Sequence, residues 1–217
     1  MIEAGHFPAA KVIYRMYVNR LLKNNFRKFV LINKFPDTEK FGGLILTPNH
    51  FSWWDGFFAD YLLRKNCGRK EYIMMLEEQL QRYKFFRYVG AFSVNTNSPD
   101  EIKKSLEYSR KIVSDKSNVL IYYPQGEIQP YEAGNIKFKK GLKKISSVMD
   151  LSIQIVSFKI VYSEYKKPSV YCRAGETIKA KNLSESFDHF ESCFINNVSL
   201  LDKEYNSGKG IDLFKIK

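Results

Sequence analysis

Gly42-Gly43-Leu44-Ile45-Leu46-Thr47-Pro48-Asn49-His50-Phe51-Ser52-Trp53-Trp54-Asp55-Gly56 reads as a strand, a turn and the start of a helix. The apolar run over 42–47 has the composition of a buried strand, Pro48 and Asn49 punctuate it, and apolar residues over 54–64 recur at helix-compatible spacing. His50 then falls in the turn and Asp55 in the first helical turn, where the helix dipole favours a carboxylate. Residues five apart are poor neighbours on one regular helix, because side chains meet at three and four, so the pair suits a strand-to-helix turn. A neutral imidazole becomes a general base when a carboxylate holds its other ring nitrogen. Such a base contributes roughly 10²- to 10⁴-fold to a rate. Taken alone, the same pair also fits a helix-capping aspartate beside a turn histidine.

Outward from this stretch the chain alternates strands and helices. Strands are expected over 72–75, 92–94, 119–123, 153–162 and 169–172, with helices over 77–88, 98–113, 141–149 and 184–204. The tail over 206–217 reads as loose. This alternation predicts an α/β fold with a largely parallel central sheet flanked by helices, and function at the carboxyl ends of the strands. His50 and the pair Gln125-Gly126 both follow expected strands.

Residues 8–33 interleave Val12, Ile13, Met16, Tyr17, Leu21, Leu22, Phe26, Phe29 and Val30 with Lys11, Arg15, Arg20, Lys23, Arg27 and Lys28. The chain is therefore divided into an amphipathic N-terminal helical segment, 1–34, and an α/β domain, 35–217. The segment reads either as an anchor on a membrane surface or as a helix that packs on the core and leaves its basic residues solvated.

A formal charge of +12 across 217 residues points to an anionic partner surface. A membrane rich in anionic lipid fits the amino-terminal pattern. A basic nucleic-acid-binding protein is the less favoured alternative: lysines with interspersed Tyr and Phe are also its footprint, but no helix-turn-helix, zinc-finger or ribonucleoprotein signature accompanies them and His50 with Asp55 would go unexplained, so no nucleic-acid partner is expected. No apolar run approaches the roughly 18 residues of a spanning helix, and no signal-peptide pattern opens the chain. The expected location is the cytoplasmic side of a membrane, peripherally attached. Cys67, Cys172 and Cys193 are widely spaced and read as inert apolar residues. His6 and His189 have no ligand-like companions in sequence, so no metal site is expected.

The stretch Asn49-His50 with Asp55 resembles the first motif of the glycerolipid acyltransferase family, of the lysophosphatidate acyltransferase type. Gly90-Ala91-Phe92-Ser93-Val94-Asn95 resembles its second motif, Tyr123-Pro124-Gln125-Gly126-Glu127 its third, and Phe138-Lys139-Lys140-Gly141 the basic turn that follows. The motifs occur in the family's order across about residues 40–165. The resemblance implies transfer of a fatty acyl chain from acyl-CoA or an acyl carrier protein to a lipid hydroxyl. His50 would be the base and Asp55 its orienter, with no covalent acyl-enzyme and no cofactor beyond the thioester co-substrate. It also implies a substrate pocket drawn from Asn49, Ser52, Asn95, Pro124, Gln125, Gly126, Glu127, Lys139 and Lys140. Ser52, two residues from His50 and outside any Gly-x-Ser-x-Gly elbow, reads as a small polar turn residue rather than a nucleophile.

The departures from the family pattern carry their own expectation. Arginines that in the family hold the acceptor's phosphate are replaced by Thr96 and Ile128, and neither residue can form an arginine's bidentate fork. Gln125 stands where the family has Glu, and Glu127 where it has Thr. The acceptor is therefore expected to lack a phosphomonoester, as an aminolipid or glycolipid does; the alternative is that Lys137, Lys139 or Lys140 takes over phosphate binding. The altered third motif also leaves open a lipid-binding homologue without turnover. Trp53 and Trp54 read either as lining for an acyl chain or membrane interface, or as core.

Overall fold

The computed structural model describes residues 1–146, 150–180, 183 and 187–216. Eight strands form one sheet: β1 (Phe29–Leu31), β2 (Gly43–Pro48), β3 (Lys70–Leu76), β4 (Ala91–Val94), β5 (Asn118–Ile121), β6 (Leu151–Val161), β7 (Ser169–Lys179) and β8 (Ile211–Asp212). Their spatial order is β4-β3-β5-β2-β6-β7-β1-β8. The strands from β4 to β6 in that order are mutually parallel, β7 is antiparallel to β6 and parallel to β1, and β8 closes the edge antiparallel to β1.

Helices α1 (Pro8–Asn25), α2 (Asp55–Asn66), α3 (Glu77–Arg82), α4 (Pro99–Val113), α5 (Gly141–Ile145) and α6 (Phe187–Glu204) cover the sheet. Strand periodicity divides the core in two. Leu44, Leu46, Val119 and Ile121 pack with Val18 and Leu22 of α1 and Phe58 and Leu62 of α2. Ile45, Leu120, Ile153 and Ile155 point the other way, toward Leu106 of α4, Leu142 of α5 and Phe190 and Phe194 of α6. All six residues of β2 are buried, as a strand covered on both faces must be. Helix α4 starts as its sequence indicates, with Ser98 accepting a hydrogen bond from the Glu101 amide and Pro99 in the first turn.

Three expectations are corrected. Residues 8–33 are not one helix: α1 ends at Asn25, and Phe29–Leu31 enters the sheet between β7 and β8. Phe29, Val30 and Leu31 are all buried, so three consecutive apolar residues leave no polar face for a surface helix and suit a covered strand. The expected boundary at residue 34 thus cuts between β1 and the sheet it belongs to. Nor is the tail loose throughout, because β8 pairs with β1, Leu213 is fully buried, and Phe214 packs on Phe29 and Tyr61. The expected helix over 77–88 divides into α3 and a 3-10 turn at Lys84–Tyr88. Of the expected helices over 141–149 and 184–204, residues 147–149 and 184–186 lie outside the described residues.

Candidate active site

Strand β2 ends at Pro48, and the chain turns sharply through His50 before α2 begins at Asp55. Asp55 is fully buried, and its Oδ2 lies 2.9 Å from His50 Nδ1. The same oxygen accepts hydrogen bonds from the Phe51 amide at 2.7 Å and the Ser52 amide at 2.8 Å. One carboxylate therefore satisfies the otherwise orphaned amides of the turn and fixes the imidazole. With Nδ1–H donated to Asp55, the lone pair lies on Nε2, on the side of a ring that is 23% exposed. Burial pushes the Asp55 carboxyl above its ordinary value; the hydrogen bond from His50 and those from the turn amides oppose that rise. A buried carboxylate of this kind stabilises an imidazolium formed beside it.

The first and third motifs, 75 residues apart, are joined by hydrogen bonds at His50 itself. The His50 amide donates to Gln125 Oε1 at 2.6 Å, and Gln125 Nε2 donates to the His50 carbonyl at 3.2 Å. The Gln129 amide donates to that carbonyl at 2.9 Å. The Tyr123 ring stacks on the imidazole with centroids 4.2 Å apart, leaving its buried hydroxyl with no hydrogen-bond partner among the described residues. A side chain with both a donor and an acceptor is needed to hold both backbone groups of His50, and glutamine supplies both where a carboxylate supplies only acceptors.

Asn49 is buried, and its amide closes β2 onto β6, donating to the Phe158 carbonyl at 2.9 Å and accepting from the Phe158 amide at 2.7 Å. Ser52 Oγ accepts from the Trp54 amide at 2.9 Å, a local turn bond at the entrance to α2. Asn49, Ser52 and Gln125, expected as substrate contacts, thus also have polar atoms engaged by backbone groups of the turn and of β6. Pro124 is held beside them, its carbonyl accepting from the Lys139 amide at 2.8 Å. Gly126 has φ +73°, and a Cβ there would meet Lys139 Cγ at 2.7 Å, so this turn needs glycine. Glu127 and Lys139 are exposed and ion-paired at 3.5 Å. Lys140 is exposed at the start of α5. Asn95 is not brought to His50: β4 lies three strand spacings from β2, about 14 Å, and its side chain accepts from the Asn97 amide.

Tyr123 was not foreseen at the site, although the buried aromatic run ending at Pro124 contains it. Phe51, which the sequence groups with Trp53 and Trp54 as acyl-chain or interface lining or as core, meets Tyr131, which no sequence signal marks, with rings 5.1 Å apart beside Asn49 and Gln125. The crevice they line has a volume of about 10 Å³, room for no more than a water molecule and not for an acyl chain.

A family model described as Acyltransferase matches residues 28–161, more than half of the chain and all of the geometry above. The chain belongs to the Acyltransferase family. This acyltransferase shares its fold with the crystal structure of PlsC, a 1-acyl-sn-glycerophosphate (LPA) acyltransferase from Thermotoga maritima: the TM-score is 0.57 at 15% identity, over 93% of this chain and 85% of that one. No curated protein matches the acyltransferase by sequence. Among its described residues no helix is long and apolar enough to cross a membrane.

Proposed function

We propose that the enzyme transfers a fatty acyl chain from a thioester, acyl-CoA or acyl carrier protein, to a hydroxyl of a lysophospholipid-type or other polar-lipid acceptor, with His50 as general base. The observation that carries this reading is the 2.9 Å contact of His50 Nδ1 with fully buried Asp55 at the carboxyl end of β2. Nε2 takes the acceptor's proton, the alkoxide oxygen attacks the thioester carbonyl, and collapse of the adduct releases the thiol as the imidazolium returns its proton. Asp55 holds the tautomer and stabilises the cation without leaving its place.

The acceptor head group lacks a phosphomonoester. Ile128 is 54% exposed where the resemblance implies a phosphate-holding arginine, and of the lysines that follow the third motif Lys139 is paired with Glu127. Turnover of lysophosphatidate measured against a phosphate-free lyso-lipid tests this, and a preference for lysophosphatidate overturns it.

The enzyme works docked on anionic lipid from the side carrying α1. Exposed Val12, Ile13, Met16 and Tyr17 form an apolar patch on that helix beside Arg15 and Arg20. Aromatic rings run from the same helix toward the site: part-buried Tyr14 contacts Phe86, Phe86 contacts the buried Phe57, and Phe57 contacts Trp53, which is 59% exposed three residues after His50. These ring contacts connect α1 to the turn that carries His50.

A further inference from the structure

His189 and Cys193, apart from every family motif, lie one turn from each other on α6 and project from the same face of that helix. The fold sets Glu176 of β7 opposite them. Cys193 Sγ is 3.3 Å from Glu176 Oε2 and 3.6 Å from His189 Nε2, and His189 Nε2 is 4.0 Å from Glu176 Oε1. Neighbours along the chain gave no hint of this, since Glu176 precedes His189 by more than three helical turns' worth of sequence and lies on a different element. His189 therefore has two ligand-like companions, Cys193 one turn along its own helix and Glu176, which only the fold brings to it.

The same stripe of α6 is fixed to β7 one turn further on. Asn197 donates to Ser157 Oγ at 2.8 Å and to the Arg173 carbonyl at 3.2 Å, and accepts from the Arg173 guanidinium at 2.6 Å. Gly175 lets the helix come this close, because a Cβ there would lie 2.7 Å from Asn197 Cγ. The spacing of the three donors is thus set by a clamped helix and strand as well as by their mutual contacts.

We propose that Glu176, His189 and Cys193 bind a zinc-like divalent transition-metal ion that clasps the first turns of α6 to β7. Zinc bonds of about 2.3 Å to sulfur, 2.0–2.1 Å to nitrogen and 2.0–2.2 Å to oxygen at tetrahedral angles place neighbouring donors about 3.4–3.6 Å apart. The three contacts found here bracket that range and need adjustments of up to about 0.6 Å, the largest at the 4.0 Å separation of His189 and Glu176. The donor set selects for such an ion: a thiolate and an imidazole favour zinc or cobalt, whereas magnesium and calcium take oxygen ligands. On binding, the thiol releases its proton to water and the thiolate replaces it with a metal–sulfur bond. Glu176 and His189 are exposed, so an ion enters directly from solvent and water completes the fourth position. The clasp is on the α6 face of the sheet, opposite the face that α2 covers, and takes no part in the chemistry at His50.

Cobalt(II) added alone to the full-length protein tests the clasp. One equivalent is expected to bind with a near-ultraviolet thiolate-to-cobalt charge-transfer band, which Cys193→Ser abolishes and Cys67→Ser and His50→Ala leave intact. His189→Ala and Glu176→Gln are expected to weaken binding by roughly tenfold or more. Zinc should displace the cobalt and raise the melting temperature of the wild type but not of Cys193→Ser, with the metal-free proteins melting alike. Absence of the band, its survival in Cys193→Ser, or unchanged affinity in both other variants overturns the proposal.

Discussion

At the residue scale, His50 is held on two sides, its ring by Asp55 and its backbone by Gln125. Replacing His50 with alanine removes the base and should lower kcat by roughly 10²- to 10⁴-fold, measured by thioester consumption, while circular dichroism shows the fold retained. Gln125→Leu separates positioning from chemistry. It leaves the His50 amide without its side-chain partner in a site that is 2% exposed at position 125, and should cost about 1–3 kcal/mol of stability in denaturant unfolding. It should also reduce kcat with little change in KM, since the ring is displaced but the acceptor surface is not. The His50–Asp55 spacing was legible because a turn signal sits between strand and helix patterns. The framing roles of Asn49 and Gln125 were not, because sequence gives a side chain's donors and acceptors but not the backbone groups the fold brings to them.

At the element scale, α1 has one face in the core through Val18 and Leu22 and another that exposes Ile13, at 61%, and Met16, at 68%. Ile13→Asp with Met16→Asp should leave the melting temperature within about 1 °C, since exposed positions contribute little to packing. The same pair should sharply reduce flotation with vesicles containing anionic phospholipid; full flotation of the folded variant would remove α1 from the docking surface. Beneath the same helix Glu71 of β3 is buried with Asp60 and Arg64 of α2 and Lys11 and Arg15 of α1 around it. Burial, then the Asp60 carboxylate, pushes Glu71 from 4.5 up to about 7. Between those values the native state binds more protons than the unfolded chain, so this group makes stability fall as pH rises. Glu71→Gln should accordingly gain about 1–3 kcal/mol over the wild type above pH 7 and lose that advantage near pH 4, read from denaturant midpoints across pH. His6, held down to about 3 by burial, tilts stability the opposite way, but it is common to both proteins and cancels in the comparison.

At the scale of the whole molecule, the sheet is completed by segments from both ends of the sequence: β1 and β8 pair at its edge, and Leu213 closes over the α1 and α2 side of the core. Removing residues 206–217 should lower the melting temperature by roughly 5 °C or more, because a buried leucine alone is worth about 2–5 kcal/mol. A truncated protein that melts like the full chain would show the edge to be dispensable. The alternation of elements, the α/β class, the strand-turn-helix around His50 and the order of the acyltransferase motifs can be read from the chain alone, since each is written in local periodicity, punctuation and short spacing. Long-range packing sets the rest: residues 29–31 leave the amino-terminal amphipathic pattern for the sheet, Gln125 holds His50, Asn95 stays at the far edge, and Glu176 meets His189 and Cys193. Each of these depends on which strands are neighbours, and strand order arises from packing across the whole core, which no local pattern encodes.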